Sequence, residues 1–324
     1  MKTFAWCTSF ALAVGMALAP GARGADYPER PIRVIVTVPP GGAADFTARL
    51  VGQHLGEAFH QTIVIDNRPG ASGIIATSLA AKATPDGYTL LQNSTTTHGV
   101  GPGLIPKLPY DPLGDFAPVI QFNAIPLIMV VNRDVPANSV QELIALAKAS
   151  PGRIKFASAG VGSAPHMAGE LFKLVTGADL THVPYKGSGP AVVDLASGQV
   201  QVMFDGAPSL LAQIKTGRLR PLAAASTKRN RLLPDLPTFA ELGYKGVEAG
   251  LWYGLLAPAG TPKSVIRKLN AEINRILAMP QVQERFAEQG ADAVGGTPEQ
   301  FSAFMRSEIA RWSDVVKRGG IKAE

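Results

Sequence analysis

From Ile32 onward, short apolar runs alternate with segments whose apolar positions recur at three-to-five spacing, the periods of buried strands and amphipathic helices. The run Ile32 to Val38 leads into a helix from Asp45, with Phe46, Leu50, Val51, Leu55 and Phe59 on one face. Next come the run Thr62 to Ile65, a loop from Asn67 to Gly73, a helix reaching Ala83, the turn Pro85-Asp86-Gly87 and the run Tyr88 to Gln92. This is a βαβαβ half, and it predicts a parallel sheet flanked by helices.

Residues 94–118 interrupt the rhythm with five prolines and four glycines and read as a long crossing segment. A second alternation then begins at Leu127 to Val131. Its further runs are Ile154 to Ala157, Leu180 to Val183, Gln201 to Phe204 and Arg220 to Ala225. Between the later runs lie helices Pro190 to Ser197 and Pro208 to Thr216, each stopped by the glycine that follows. Ser139 with Glu142, Thr238 with Glu241 and Thr297 with Gln300 have capping-box spacing, and Thr261-Pro262 opens a long helix ending near Pro280. The run Leu251 to Leu256 has no strand neighbour in sequence, so it is expected to return to the first sheet. Crossings near Asn123 to Pro126 and Val247 to Leu251 would form a two-strand hinge.

A length of 324 residues suits two lobes of unequal size. With 46% hydrophobic and 17% charged residues the chain reads as packed and globular rather than disordered. Its formal charge of +6 is scattered, without a basic run interleaved with aromatics, so nucleic acid is not the expected partner. The start has the form of an export signal: Lys2, the apolar stretch Phe4 to Ala19, and Ala22-Arg23-Gly24 with small residues at minus three and minus one. Cleavage after Gly24 is preferred, because a cut after Ala19 would leave Pro20 first. The mature chain, with 29 basic and 25 acidic residues, is expected to be soluble and free of cysteine, since Cys7 lies in the signal.

Two glycine-rich turns, each between a strand run and a helix, carry the candidate chemistry: Pro39 to Asp45, with Pro40, Gly41, Gly42, Ala43 and Ala44, and Gly160 to His166, with Gly162 and Ser163. A helix start offers unpaired N–H groups and the positive end of its dipole, so two facing turns would clamp a small anion. Asp45 is expected to cap the first helix and pair with Arg49. The plainer reading of either turn is a tight connection with nothing bound. Neither turn fits GxxxxGK[ST] or GxGxxG, and Phe156 stands where a GxSxG elbow needs its first glycine, so nucleotide binding and hydrolysis are poorly supported. His166 and Glu170 share a helical face, read as a surface histidine without a third metal ligand. Asp205 either meets a ligand's hydroxyl or amine or only orders the turn after it. Tyr185 is read as a cleft wall, and Trp252 and Phe122 as packing.

Across essentially the whole mature chain, these motifs resemble the periplasmic solute-binding receptors of tripartite tricarboxylate transporters, called Bug receptors. The resemblance is carried by Tyr27-Pro28 with Arg30-Pro31-Ile32, the PPGGAAD turn with Arg49, Asn67-Arg68-Pro69-Gly70-Ala71, Pro85-Asp86-Gly87-Tyr88 and Leu108 to Pro112 with Asp115-Phe116. Further on lie Ala157 to Glu170, Val183 to Gly187, Met203-Phe204-Asp205, Pro237-Thr238 with Glu241, and Ala257 to Pro262. It implies an α/β Venus-flytrap protein, not an enzyme, with two lobes, each a mainly parallel sheet flanked by helices. Residues 25–124 with 248–324 would form lobe 1, and 125–247 lobe 2. It also implies a carboxylate held in the cleft by backbone groups and ordered waters, without cofactor or metal. The matching positions are Pro40 to Ala44 and Ala159, Gly160, Gly162 and Ser163, with Ser94, Tyr185 and Asp205 at the cleft edge. Ala43-Ala44 replaces a pair that is commonly more polar. The expected partners are the large and small membrane subunits of the transporter, with a membrane sensor kinase as the alternative, and the receptor itself is expected to be a monomer.

The exported protein should begin at Ala25, because only that cut combines small residues at both required positions with no proline after it. Intact mass of periplasmic protein checks this, and a mass that retains Cys7 would refute it.

Overall fold

The computed structural model describes residues 27–323, so the signal segment and its cleavage site lie outside the described residues. The first part of the chain forms β1 (Ile32–Val36), α1 (Ala43–Phe59), β2 (Ile63–Asn67), α2 (Ile74–Ala81) and β3 (Thr89–Ser94). β1 pairs in parallel with both β2 and β3, as the alternation requires. Along α1 the buried positions are Ala44, Ala48, Val51 and Leu55, and Phe46, Leu50 and Phe59 flank that stripe half-buried. Small alanines thus let the helix lie close on the sheet while the aromatics seal its edges.

After β3 the chain makes a π-helical turn, Thr96–Val100, then the short α3 (Gly101–Leu104), and enters β4 (Phe116–Asn132). β4 is a single strand of 17 residues. The expected break before Leu127 does not occur. Pro118 ends the proline-rich segment of the sequence but lies within β4, where the register shifts between Pro118 and Ile120, and Pro126 falls where pairing changes partners. Proline is tolerated in a strand at such irregular places. The second part follows with α4 (Val140–Ala149), β5 (Ile154–Ser158), α5 (Ala164–Thr176), β6 (Leu180–Pro184), α6 (Ser188–Ala196), β7 (Val202–Gly206), α7 (Ala207–Lys215) and β8 (Leu219–Ala225). The chain then returns through β9 (Gly250–Pro258) and closes with α8 (Lys263–Leu277), α9 (Pro280–Glu288), β10 (Asp292–Gly295) and α10 (Pro298–Gly319).

The strand order β2-β1-β3-β9-β4-β7-β5-β6, with β10 and β8 also on β4, divides at β4 into two sheets. Residues Phe116 to Pro126 of β4 pair with β9, and Leu127 to Asn132 pair with β7 and β8. β9 lies between β3 and β4, so the run Leu251 to Leu256 does return to the first sheet. The fold is the two-lobed α/β architecture, but each sheet is mixed rather than mainly parallel. β1–β2, β1–β3, β5–β6 and β5–β7 are parallel, whereas every pairing made by β4 or β9 is antiparallel. The crossing strands run against the local direction of each lobe because they enter it from the other.

The capping spacings have three different outcomes. Thr297 and Gln300 form the full reciprocal box, whereas Ser139 accepts from the Glu142 N–H while the Glu142 carboxylate bonds the Asn138 N–H instead. Thr238 and Glu241 exchange both bonds around a turn that no helix follows. At the far end of the chain, Trp312, Val315 and Val316 of α10 join Val100 and Leu104 in the same apolar cluster as Phe156, Phe172 and Phe204 of the second lobe. A helix of 22 residues, about 33 Å at 1.5 Å per residue, is long enough to brace both lobes.

β9 lies under α10 at Gly254, where a Cβ would stand 2.2 Å from Phe301 Cζ and 2.8 Å from the Ile120 carbonyl oxygen. Gly254→Ala should therefore cost about 1–3 kcal/mol through overpacking, read as a lowered urea midpoint. An unchanged midpoint would show that α10 yields there freely.

Candidate functional site

Between the sheets lie two adjoining cavities of about 350 and 600 Å³ that share Val38, Pro39, Ala159, Ser188, Asp205, Leu251 and Tyr253. The smaller is also lined by Ser72, Ser94, Thr96, Thr97 and Ser163, and the larger by Pro40, Gly42, Ala43, Ala44 and Ser209. Four helix starts reach this cleft: α1 from the first lobe, and α5, α6 and α7 from the second. No Lys, Arg or His is among the described residues lining it.

In the first turn, α1 begins at Ala43 with Gly42 at the capping position, and no side chain caps it. Asp45, expected to be the cap, sits inside the first helical turn and reaches back to accept the Gly41 N–H at 3.0 Å. Arg49 and Asn67 also bond its carboxylate, and together these contacts hold its pKa below the ordinary value despite burial. Gly41 has φ +95° and turns away from the cleft. Gly42 has φ −89°, so its value to the site is an open approach to backbone. The N–H groups of Gly42, Ala43 and Ala44 find no acceptor among the described residues.

The second turn is more fully committed. The Ser163 hydroxyl donates to the Gly160 carbonyl at 2.7 Å and accepts the His166 N–H at 3.4 Å, so it is a helix cap with its proton already used. Gly160 N–H goes to Ser158 Oγ and Gly162 N–H to His166 Nδ1, while Ala159, Val161 and Ala164 keep free N–H groups among the described residues. Gly160 and Gly162 themselves line a third cavity of about 510 Å³, with Val100 and Leu104, which adjoins the smaller one through Ser72, Thr96, Ala159 and Val161.

Two side chains lie elsewhere than their sequence context suggested. Tyr185 lines neither cavity of the cleft; its hydroxyl donates to Asp194 Oδ2 at 2.8 Å, and burial with that carboxylate raises its pKa to about 12. His166 is not a surface residue. It is 3% exposed and stacks on His182 at 3.8 Å, whose Nε2 meets Ser158 Oγ at 2.7 Å. This wholly buried Ser158 bridges the N–H and carbonyl of Gly160, so the Ser–His pair shapes the turn. Trp252 is packing, edge-on to Phe301 and Phe304, with its N–H on Glu308, and Phe122 is buried in the first core.

Asp205 closes β7 and lines both cavities while only 4% exposed. Its Oδ1 accepts the Gly206 N–H at 2.8 Å, and its buried Oδ2 has no hydrogen-bond partner. Burial raises its pKa, tempered by the nearby Ser188 and Ser209 hydroxyls, which do not reach bonding geometry with Oδ2; the Ser209 proton goes to the Gly206 carbonyl instead. Tyr253 is buried beside it, and burial together with the Asp205 charge raises the phenol's pKa, so the hydroxyl remains a donor.

Sequence reasoning missed Ser72, Thr96, Thr97, Ser188 and Tyr253 as cleft residues. Ala71 and Ser72 have φ +46° and +53°, a left-handed conformation costly for non-glycine residues that concentrates at functional sites. The Pro69-Gly70 pair preceding them was the available signal. The π turn bearing Thr96 and Thr97 had none, because its hydrogen-bond pattern has no composition of its own.

Two mixed sheets share strands, and a polar cleft ringed by helix starts lies between them. A solved periplasmic transporter structure superposes with TM-score 0.81 at 42% identity, covering 91% of this chain and 99% of that one. Residues 47–321 match the model of the tripartite tricarboxylate transporter family receptor, and the chain belongs to that family. Protein BugT of Bordetella pertussis is 44% identical over 297 residues, 91% of each chain. Rpa4515 of R. palustris, solved with adipate, superposes with TM-score 0.82 at 38% identity over 92% of this chain and 99% of its own. MatC of Rhodopseudomonas palustris, solved with bound malate, gives TM-score 0.78 at 33% identity over 90% of this chain and 100% of its own. The family is one of receptors, and this chain is a receptor rather than an enzyme.

Burial holds three histidines neutral, with pKa values of about 3 for His98 and His166 and about 4 for His182, against 6.5 ordinarily. The unfolded chain takes up these protons below pH ~6.5 while the folded chain does not, so stability falls as pH drops from there toward 4. The slope is at most about 1.4 kcal/mol per pH unit for each fully buried imidazole. Urea midpoints between pH 7 and 5 should decline, and His98→Asn should flatten the decline; a flat wild-type profile would contradict the burial of these rings.

Proposed function

We propose that this receptor captures a small organic acid between its lobes and delivers it to the large and small membrane subunits of a tripartite tricarboxylate-type transporter. The observation that carries the reading is the set of unpartnered N–H groups at the starts of α1 and α5, turned on a cleft without cationic side chains. Oriented amides at a helix start favour an anion and cost nothing to reorganise when it arrives. The adipate and malate carried by two relatives in their solved structures support the same class of ligand here.

In this reading, residues 25–124 with 248–324 act as one lobe and 125–247 as the other, and they close about β4 and β9 near Asn123 to Pro126 and Val247 to Leu251. Export through the N-terminal signal, with cleavage after Gly24, places the receptor where it meets both solute and transporter. It works as a monomer, each chain holding a complete cleft.

Gly42→Val tests the first-lobe turn. A Cβ added at Gly42 meets nothing within 4 Å and the φ there is ordinary, so the fold should persist with an unchanged circular dichroism spectrum. The branched side chain would stand over the free amides, and binding of organic acids by calorimetry should weaken at least tenfold. Undiminished binding by the folded variant would remove the anion from this turn.

A further inference from the structure

We propose that Asp205 selects the ligand: the bound acid carries a hydroxyl or ammonium group besides its carboxylate, and that group donates to Asp205 Oδ2. The proposal rests on the carboxylate-binding reading above and specifies the ligand further. Oδ2 is a buried acceptor on the wall of both cavities, and among the described residues no donor bonds it, the nearby Ser188 and Ser209 hydroxyls included. An acceptor left in this state is costly, and the cost is relieved when a ligand supplies the missing proton.

The surroundings of Asp205 favour a donor over a second carboxylate. It is the only carboxylic acid among the described residues lining the two cavities, and no Lys, Arg or His there neutralises it. A second carboxylate beside it would face a like charge or force a proton onto the pair, whereas a hydroxyl or ammonium meets an acceptor. Free amides for the carboxylate and a free acceptor for a donor thus occupy the same cleft as separate features. A site built to receive a donor discriminates strongly against analogues that lack it.

The test is calorimetry of the purified mature protein with matched sets of acids that share one carbon skeleton and differ only in hydrogen, hydroxyl or ammonium. Propionate, lactate and alanine make one set; succinate, malate and aspartate a second; glutarate, 2-hydroxyglutarate and glutamate a third. In the set that fits the cleft, the hydroxyl or ammonium member should bind at least tenfold tighter than the plain acid. Asp205→Asn places an amide donor where Oδ2 stood, so it should abolish that preference while the plain acid binds equally or better. Plain acids that bind as tightly as their substituted partners in wild type would overturn the role of Asp205 and leave the carboxylate reading standing. Absence of binding by every acid in all three sets would instead overturn the carboxylate reading and this inference with it. The wild-type comparison decides even if Asp205→Asn fails to fold.

Discussion

β4 belongs to both sheets at once, and the cleft exists because of that sharing. A strand of 17 residues spans roughly 55 Å at 3.3 Å per residue, more than either sheet alone needs. Its first part hydrogen-bonds to β9, its second to β7 and β8, and the exchange of partners falls at Pro126 and Leu127. β9 begins at Gly250, opposite Pro126, so the lobes are connected where β4 passes from β9 to β7 and β8. A rigid hydrogen-bonded pair fixes which faces of the lobes oppose one another. The turns at the strand ends then face one another across the cleft.

Those turns share a chemistry made almost wholly of backbone. The first offers three free amides and no polar side chain, and the second keeps its serine, its buried histidines and Ser158 occupied in holding shape. A cleft of this kind presents preorganised dipoles rather than charge to whatever enters it, and it avoids the desolvation of buried lysine or arginine. Asp205 is the exception, a single unsatisfied carboxyl in an otherwise neutral wall. α10 and α3 add a constraint on the other side: their apolar ends lie in the second lobe's core although the rest of α10 serves the first. Any relative movement of the lobes must keep that contact or slide along it.

Much of the fold was legible because its causes are local. The alternation of runs and helices, the turn positions, the Thr297–Gln300 box and the parallel pairing of β1 with β2 and β3 follow from periodicity and from glycine and proline over a few residues. The site was legible in outline for the same reason: Gly42, Ala43, Ala44, Ala159, Ser163 and Asp205 sit at strand-to-helix turns and line the cleft. Local signals also misled. The proline-rich segment was expected to run to Pro118, yet β4 begins at Phe116 and absorbs Pro118 where its register shifts.

Sequence by itself thus determined where strands end and helices begin, because hydrogen-bonding and steric preferences act between near neighbours. Only the tertiary structure decided which polar groups remain unpaired. Ser163 and Asp205 stand in similar turns, but Ser163 finds partners three residues away while Oδ2 of Asp205 is buried without one. His166 looked like a surface residue until His182, sixteen positions later, closed over it. Tyr185 looked like a cleft wall until Asp194 on the next helix took its hydroxyl. These contacts join residues nine to sixteen positions apart through the packing of α5, β6 and α6 on one sheet, beyond the few residues over which capping and turn preferences act.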